Sequence, residues 1–116
     1  MTMTDQKLHL HNEGVRKITL NDDALCLDMQ HYDNARSVYV PYVIIYTNIR
    51  DLNIDHRPAA TILQPTGVGD VVHYSESNNK AWLLVDWRDY ANKASVTQLY
   101  EFIFDRVEAK GIDVAQ

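Results

Sequence analysis

The hydrophobic period of this chain changes near residue 94, from two-residue alternation to apolar residues spaced three and four apart, and no other feature restricts its fold as much. Val96, Leu99, Tyr100, Ile103 and Val107 recur at the interval that lines one face of a helix. Ser95 with Gln98 three residues on has the pattern of a capping box, and Gly111 suits a left-handed helix end with Ile112 folding back onto Val107. Gln98, Glu101, Asp105 and Glu108 form the opposite polar stripe, and Phe102 and Phe104 widen the apolar arc from its two shoulders. The spacing therefore predicts one capped amphipathic helix reaching residue 110.

Upstream, the pattern is that of strands. In Lys80 to Asp89, Ala81, Leu83, Val85 and Trp87 alternate with Trp82, Leu84, Asp86 and Arg88. Ser37 to Thr47 is apolar on both faces, as a strand buried on both sides would be, although Pro41 removes one ladder donor. Tyr42, Ile45, Tyr46, Ile49 and Leu52 also fit helical spacing, so residues 41–52 have two readings; the β-branched density of Val43, Ile44, Ile45 and Thr47 favours the strand. Val15 to Leu20 and Ala24 to His31 read as a hairpin through Asn21, Asp22 and Asp23, with Leu25, Leu27 and Met29 facing the core. Asp70 to Ser75 and Ala81 to Asp89 read as a second hairpin. Residues 50–69 are punctuated by Pro58, Pro65, Gly67 and Gly69, with Ala59 to Leu63 as a short fifth strand. No internal repeat is visible along the chain.

The expected fold class is thus α+β: a mainly antiparallel sheet of about five strands with one C-terminal amphipathic helix on one face, in a single domain over residues 1–116. At 116 residues the chain is long enough to bury a core without disulfides or metal, and its one cysteine, Cys26, has no partner for an intramolecular bridge. Met1 to Gly14 lacks the apolar centre of a signal peptide and no run approaches a membrane span, so a cytoplasmic setting is expected. A formal charge of −5 with no cluster of lysines or arginines disfavours nucleic acid as a partner. No cofactor is expected. A helix of about fifteen residues shields only about two strands. The apolar strand faces left over, around Trp82 and Leu84, call for another cover, which predicts a homo-oligomer, dimer or larger.

Candidate chemistry is sparse. His9, His11 and Glu13 alternate with Leu8 and Leu10, so on a strand all three would share one side within reach of a divalent ion; a polar outer face is the simpler reading. Around the end of the strongest strand, His73 and Asp86 are the candidate acid–base pair, and Trp82, Trp87, Arg88 and Tyr90 the candidate binding residues, since strand ends carried by a rigid scaffold often hold function. The simpler reading there is an Asp86–Arg88 surface ion pair beside a packed Trp87. Cys26 among Leu25 and Leu27 reads as a small hydrophobe, and Gly67-Val68-Gly69 lacks the GK[ST] of a phosphate loop. Seven tyrosines suit interfaces or ligand walls as well as strands. The functional expectation is a non-enzymatic, self-associating binding or interaction protein, of an acidic accessory or inhibitor type. The alternative is a small enzyme or small-molecule binder with a pocket between sheet and helix or at a subunit boundary.

Overall fold

Strands continue past residue 94 to the end of the described chain. The computed structural model describes residues 10–111, and in it nine strands join one antiparallel sheet. They are β1 (Gly14–Asn21), β2 (Ala24–Asp33), β3 (Val38–Thr47), β4 (Arg50–Ile54), β5 (Arg57–Pro58), β6 (Val68–Ser77), β7 (Lys80–Asp89), β8 (Ala94–Ile103) and β9 (Arg106–Gly111). Their order across the sheet is β5-β4-β8-β7-β6-β1-β2-β3-β9. No helix occurs among the described residues, and so none that is long and apolar enough to cross a membrane.

The expected C-terminal helix is therefore replaced by β8 and β9, and the α+β class by an all-β one. The reason lies in a second period hidden under the first. Tyr100, Phe102 and Phe104 are two residues apart and are the buried positions, at 0%, 0% and 3% exposure, while Val96 of the supposed helical face is 47% exposed. Valine, threonine, tyrosine, phenylalanine and isoleucine dominate 96–104 and suit a pleated, half-buried surface. A ten-residue register with β7 on one side and pairing with β4 on the other satisfies the backbone that a helix would have satisfied locally. Ser95 and Gln98 lie inside β8, and Gly111 pairs with Tyr42 at the end of β9. The remaining corrections follow the same ladder. Nine strands stand where about five were expected, residues 41–47 are strand, and Ala59 to Leu63 is a loop between β5 and β6. The strands expected at 80–89, 37–47, 15–20, 24–31 and 70–75 are present as β7, β3, β1, β2 and β6.

The sheet folds over on itself. Tyr46 of β3 and Phe102 of β8 stack edge to face with ring centroids 4.8 Å apart, although four strands separate β3 from β8 in the sheet order. In a flat sheet of strands spaced about 4.8 Å, that separation would be roughly 24 Å. Residues Leu25, Leu27, Met29, Ile44 and Tyr46 of one half thus pack against Leu83, Val85, Trp87, Tyr100 and Phe102 of the other, all 1% exposed or less. The two halves of the sheet cover each other's inner faces without a helix, while Trp82 and Leu84 remain on the outer face.

The two halves are also equivalent, which the sequence does not display. Adding 56 to a residue number maps β2 onto β7, Ala24–Asp33 onto Lys80–Asp89, and β3 onto β8, Val38–Thr47 onto Ala94–Ile103. The same shift maps the bulge between Val15 and Lys17 of β1 onto the bulge between Val71 and His73 of β6. It maps the pairing of Thr47 with Arg106 onto that of Ile103 with Arg50. Gly14 pairs with Asp70, its own equivalent, so a pseudo-two-fold axis passes between β1 and β6 there. Asp22 and Asn78 take matching positive φ angles in the short turns, and Ser37 and Lys93 do so in the longer ones. Each half is a three-stranded meander whose fourth strand crosses over: β4 leaves β3 to pair with β8, and β9 leaves β8 to pair with β3. Over residues 14–55 and 70–111 only six of the 42 position pairs are identical, among them Val15/Val71, Leu27/Leu83 and Asp33/Asp89. What is kept is burial rather than identity, as Leu25/Ala81, Ile44/Tyr100 and Tyr46/Phe102 show.

Candidate functional site

A ten-residue strand with every second residue in the core must present the other five outward. On β7 those five are Lys80, Trp82, Leu84, Asp86 and Arg88, and three of them are large and partly apolar. Register places Ser75, Trp82 and Glu101 in one cross-strand row, His73, Leu84 and Leu99 in the next, then Asp70, Asp86 and Thr97. His73, Ser75, Trp82, Leu84 and Leu99 line a shallow groove of about 390 Å³ on this outer face. The Lys80 ammonium stands 5.1 Å from the Trp82 ring centroid, a cation–π contact that holds the indole at the end of the groove. Around it stand the carboxylates of Asp70, Asp86 and Glu101, of which Asp86 is paired with Arg88. Glu101 contacts the His56 imidazole at 3.3 Å.

The residues singled out in the sequence divide on this geometry. Trp82, Arg88, His73 and Asp86 share the outer face, with Tyr90 just past the end of β7 and 70% exposed. Trp87 does not join them: it is 1% exposed on the inner face, and its indole Nε1–H donates to the Tyr100 hydroxyl at 3.1 Å. Tyr100 in turn donates to Gln98 at 2.6 Å, and burial pushes its pKa up to about 12. His73 and Asp86 lie in adjacent rows, and the Asp86 carboxylate is held by Arg88 Nε at 2.9 Å rather than by the imidazole. That contact raises the pKa of the guanidinium and leaves Asp86 without the geometry of a base oriented for a histidine.

Of the His9, His11 and Glu13 pattern, His11 and Glu13 do not lie on a strand. Its first member lies outside the described residues, and positions 11–12 form a turn closed by Glu13 N–H donating to Leu10 C=O at 3.0 Å, with Asn12 at φ 70°. Among the described residues no three of His, Cys, Asp and Glu are grouped to hold a metal ion. Glu13 is engaged otherwise: one carboxylate oxygen accepts from the Tyr42 hydroxyl at 2.5 Å and the other meets His31 Nδ1 at 2.8 Å. The hydrogen bond and charge of Glu13 raise the pKa of His31, and burial with the same carboxylate raises that of Tyr42. This cluster joins β1, β2 and β3, and sequence reading missed it because its members are 18 and 29 residues apart. The equivalents of Glu13 and His31 are Gly69 and Trp87, and a Cβ on Gly69 would stand 3.0 Å from the indole. One half fills this place with an indole and the other with a carboxylate, an imidazole and a phenol.

Tyr46 donates to Tyr74 at 2.7 Å and Tyr74 to Glu76 at 2.7 Å, a hydroxyl chain from the core to the sheet surface, and burial raises the pKa of both phenols. Beyond Val15, β1 parts from β6, and the Gln64 amide stands in for the missing strand, accepting from Ile18 N–H at 2.9 Å and donating to Arg16 C=O at 3.2 Å. Beside it a shallow cleft of about 450 Å³ opens between β1 and residues 60–62. No family model, curated protein or solved structure matches the chain.

Proposed function

We propose that this chain is a non-enzymatic binding protein, of an acidic accessory type, that recognises a basic protein segment on the outer face of β6, β7 and β8. The observation that carries the reading is the Trp82–Leu84–Leu99 groove, an apolar strip with carboxylates around it. A contiguous apolar strip flanked by charge is the composition of a recognition surface, and an indole presented at its edge is the side chain most enriched at binding hot spots. Asp70, Asp86 and Glu101 favour a cationic partner, as does the formal charge of −5. Arg88 and Tyr90 extend the face past the strand end. A cytoplasmic setting is part of the proposal, resting on the one cysteine, Cys26, a half-buried thiol whose pKa burial raises.

The test is a fluorescence titration with a basic amphipathic peptide of lysine and leucine. Trp82 is the responsive reporter and buried Trp87 the internal reference. The expected result is a saturable change that weakens as salt rises and disappears in Leu84→Glu. A chain whose tryptophan signal ignores the peptide, or one in which Leu84→Glu responds like the parent, overturns the reading.

A further inference from the structure

Strand β9 ends the sheet. It pairs with β3 on one side, and among the described residues nothing pairs with its other side. Five of its six residues are exposed, Val107 alone being half-buried. Its pseudo-symmetric equivalent, β4, is covered: β5 pairs against it, and Ala59 N–H donates to Leu52 C=O at 2.9 Å. Among the described residues, then, one end of the sheet is covered and the other is open.

We propose that a second copy of this chain closes that end, β9 against β9 in antiparallel register about a two-fold axis at Ala109. The charge pattern selects the partner, and charge together with the extent of the strand selects the register. Arg106, Glu108 and Lys110 alternate along one face of β9, with Glu108 and Lys110 3.7 Å apart within the strand. An edge carrying only lysines repels its own copy, which is how natural sheets avoid edge pairing. Here the sign alternates. With Ala109 opposite Ala109, each Glu108 faces Lys110 of the other copy, and directly opposed side chains on neighbouring strands are close enough for opposite charges to attract. Centring the pair on Glu108 instead sets Glu108 against itself and Arg106 against Lys110, which is repulsive. Centring it on Val107 sets Glu108 against Arg106, again unlike charges, but brings Ala109 against Asp105, where the chain has left the strand and the carboxylate is bound by Asn48 and Arg50. The Ala109 register alone keeps residues 107–111 of both copies inside β9 and pairs unlike charges twice. It joins two nine-stranded sheets edge to edge and leaves the Trp82 groove, on the opposite half of the molecule, open, so this inference does not depend on the peptide-binding reading.

Sedimentation of the full chain over a dilution series at low and high salt tests it, with circular dichroism to show that each variant is folded. The expected result is a monomer–dimer equilibrium weakened by salt. Glu108→Lys, which places three cations on the edge, raises the dissociation constant by at least about tenfold, a change of about 1.4 kcal/mol. The double variant Glu108→Lys with Lys110→Glu restores the parent value, because the swapped charges again meet across the axis. A monomer at all concentrations, a dimer indifferent to Glu108→Lys, or a double variant no tighter than the single one overturns the proposal. In each case the tryptophan titration with the lysine–leucine peptide is expected to be unchanged by Glu108→Lys.

Discussion

Glu13 and Gly69 occupy equivalent places in the two halves, and each is explained by what stands opposite it. Gly69 is glycine because Trp87 and Val85 leave no room: an added Cβ would lie 2.7 Å from Val85 Cγ1 and 3.0 Å from the indole. Gly69→Ala is expected to cost about 1–3 kcal/mol by overpacking, measured by urea denaturation. Opposite Glu13 stands His31, whose exposed imidazole is made more basic by the carboxylate. Because the folded-state pKa is raised, the pair contributes fully below pH 6.5, the ordinary histidine value, and its contribution is lost as pH rises through the raised value. Melting temperature followed from pH 5 to 9 is expected to fall across that window in the parent and to be flatter there in His31→Gln. An equal slope in both would show that the imidazole is not the titrating group.

At the scale of elements, β8 shows how two periods can coexist in one segment. Val96, Leu99, Tyr100, Ile103 and Val107 fit a helix, while Tyr100, Phe102 and Phe104 fit a strand, and only the second set is wholly buried. The strand prevails because β7 pairs with it along all ten residues and β4 along its second half, and because Phe102 meets Tyr46 across the core and Phe104 beside it. Phe102→Ala is expected to cost about 3–5 kcal/mol in chemical denaturation, whereas on the helical reading this residue is a shoulder whose loss is mild. Tyr46→Phe removes one hydroxyl of the Tyr46–Tyr74–Glu76 chain while Tyr74 keeps Glu76 as acceptor, so the expected cost is smaller, about 0.5–1.5 kcal/mol. The crossing from β8 to β9 is pinned at Asp105, whose N–H donates to Thr47 C=O at 2.9 Å and whose carboxylate, held well below its usual pKa by Asn48 and Arg50, fastens the other crossing from β3 to β4.

For the molecule as a whole, the exchange of β4 and β9 means that neither half completes its own sheet layer. Folding of one half requires the other, so a single unfolding transition is expected, with tryptophan fluorescence and circular dichroism coincident. A sharper consequence concerns the connecting loop, where Leu63 is 84% exposed. Co-expressed fragments 1–62 and 63–116 are expected to co-purify in equal amounts, each donating a strand to the other. Fragments that separate under native conditions would mean that the crossed strands are not what binds the halves.

Sequence by itself determined where chain segments are extended. Alternation with turn residues places β1, β2, β3, β6 and β7, because a strand's inner face must be apolar at every second position and aspartate and asparagine tolerate positive φ in the turns between them. By parity along β7 it also placed Trp82, Asp86 and Arg88 on one face, whereas His73 joins them only through the register with β6, shifted by the bulge between Val71 and His73. Tertiary structure alone decided that residues 94–111 are strands, since a short apolar run satisfies either period until partner strands are supplied. It decided that Trp87 is core while Trp82 is surface, because which side of β7 is covered depends on the fold-over of the sheet. It alone revealed the duplication and the Glu13–His31–Tyr42 cluster. Burial constrains volume and polarity more than identity, and side chains 18 and 29 residues apart become neighbours only once the ladder sets their register.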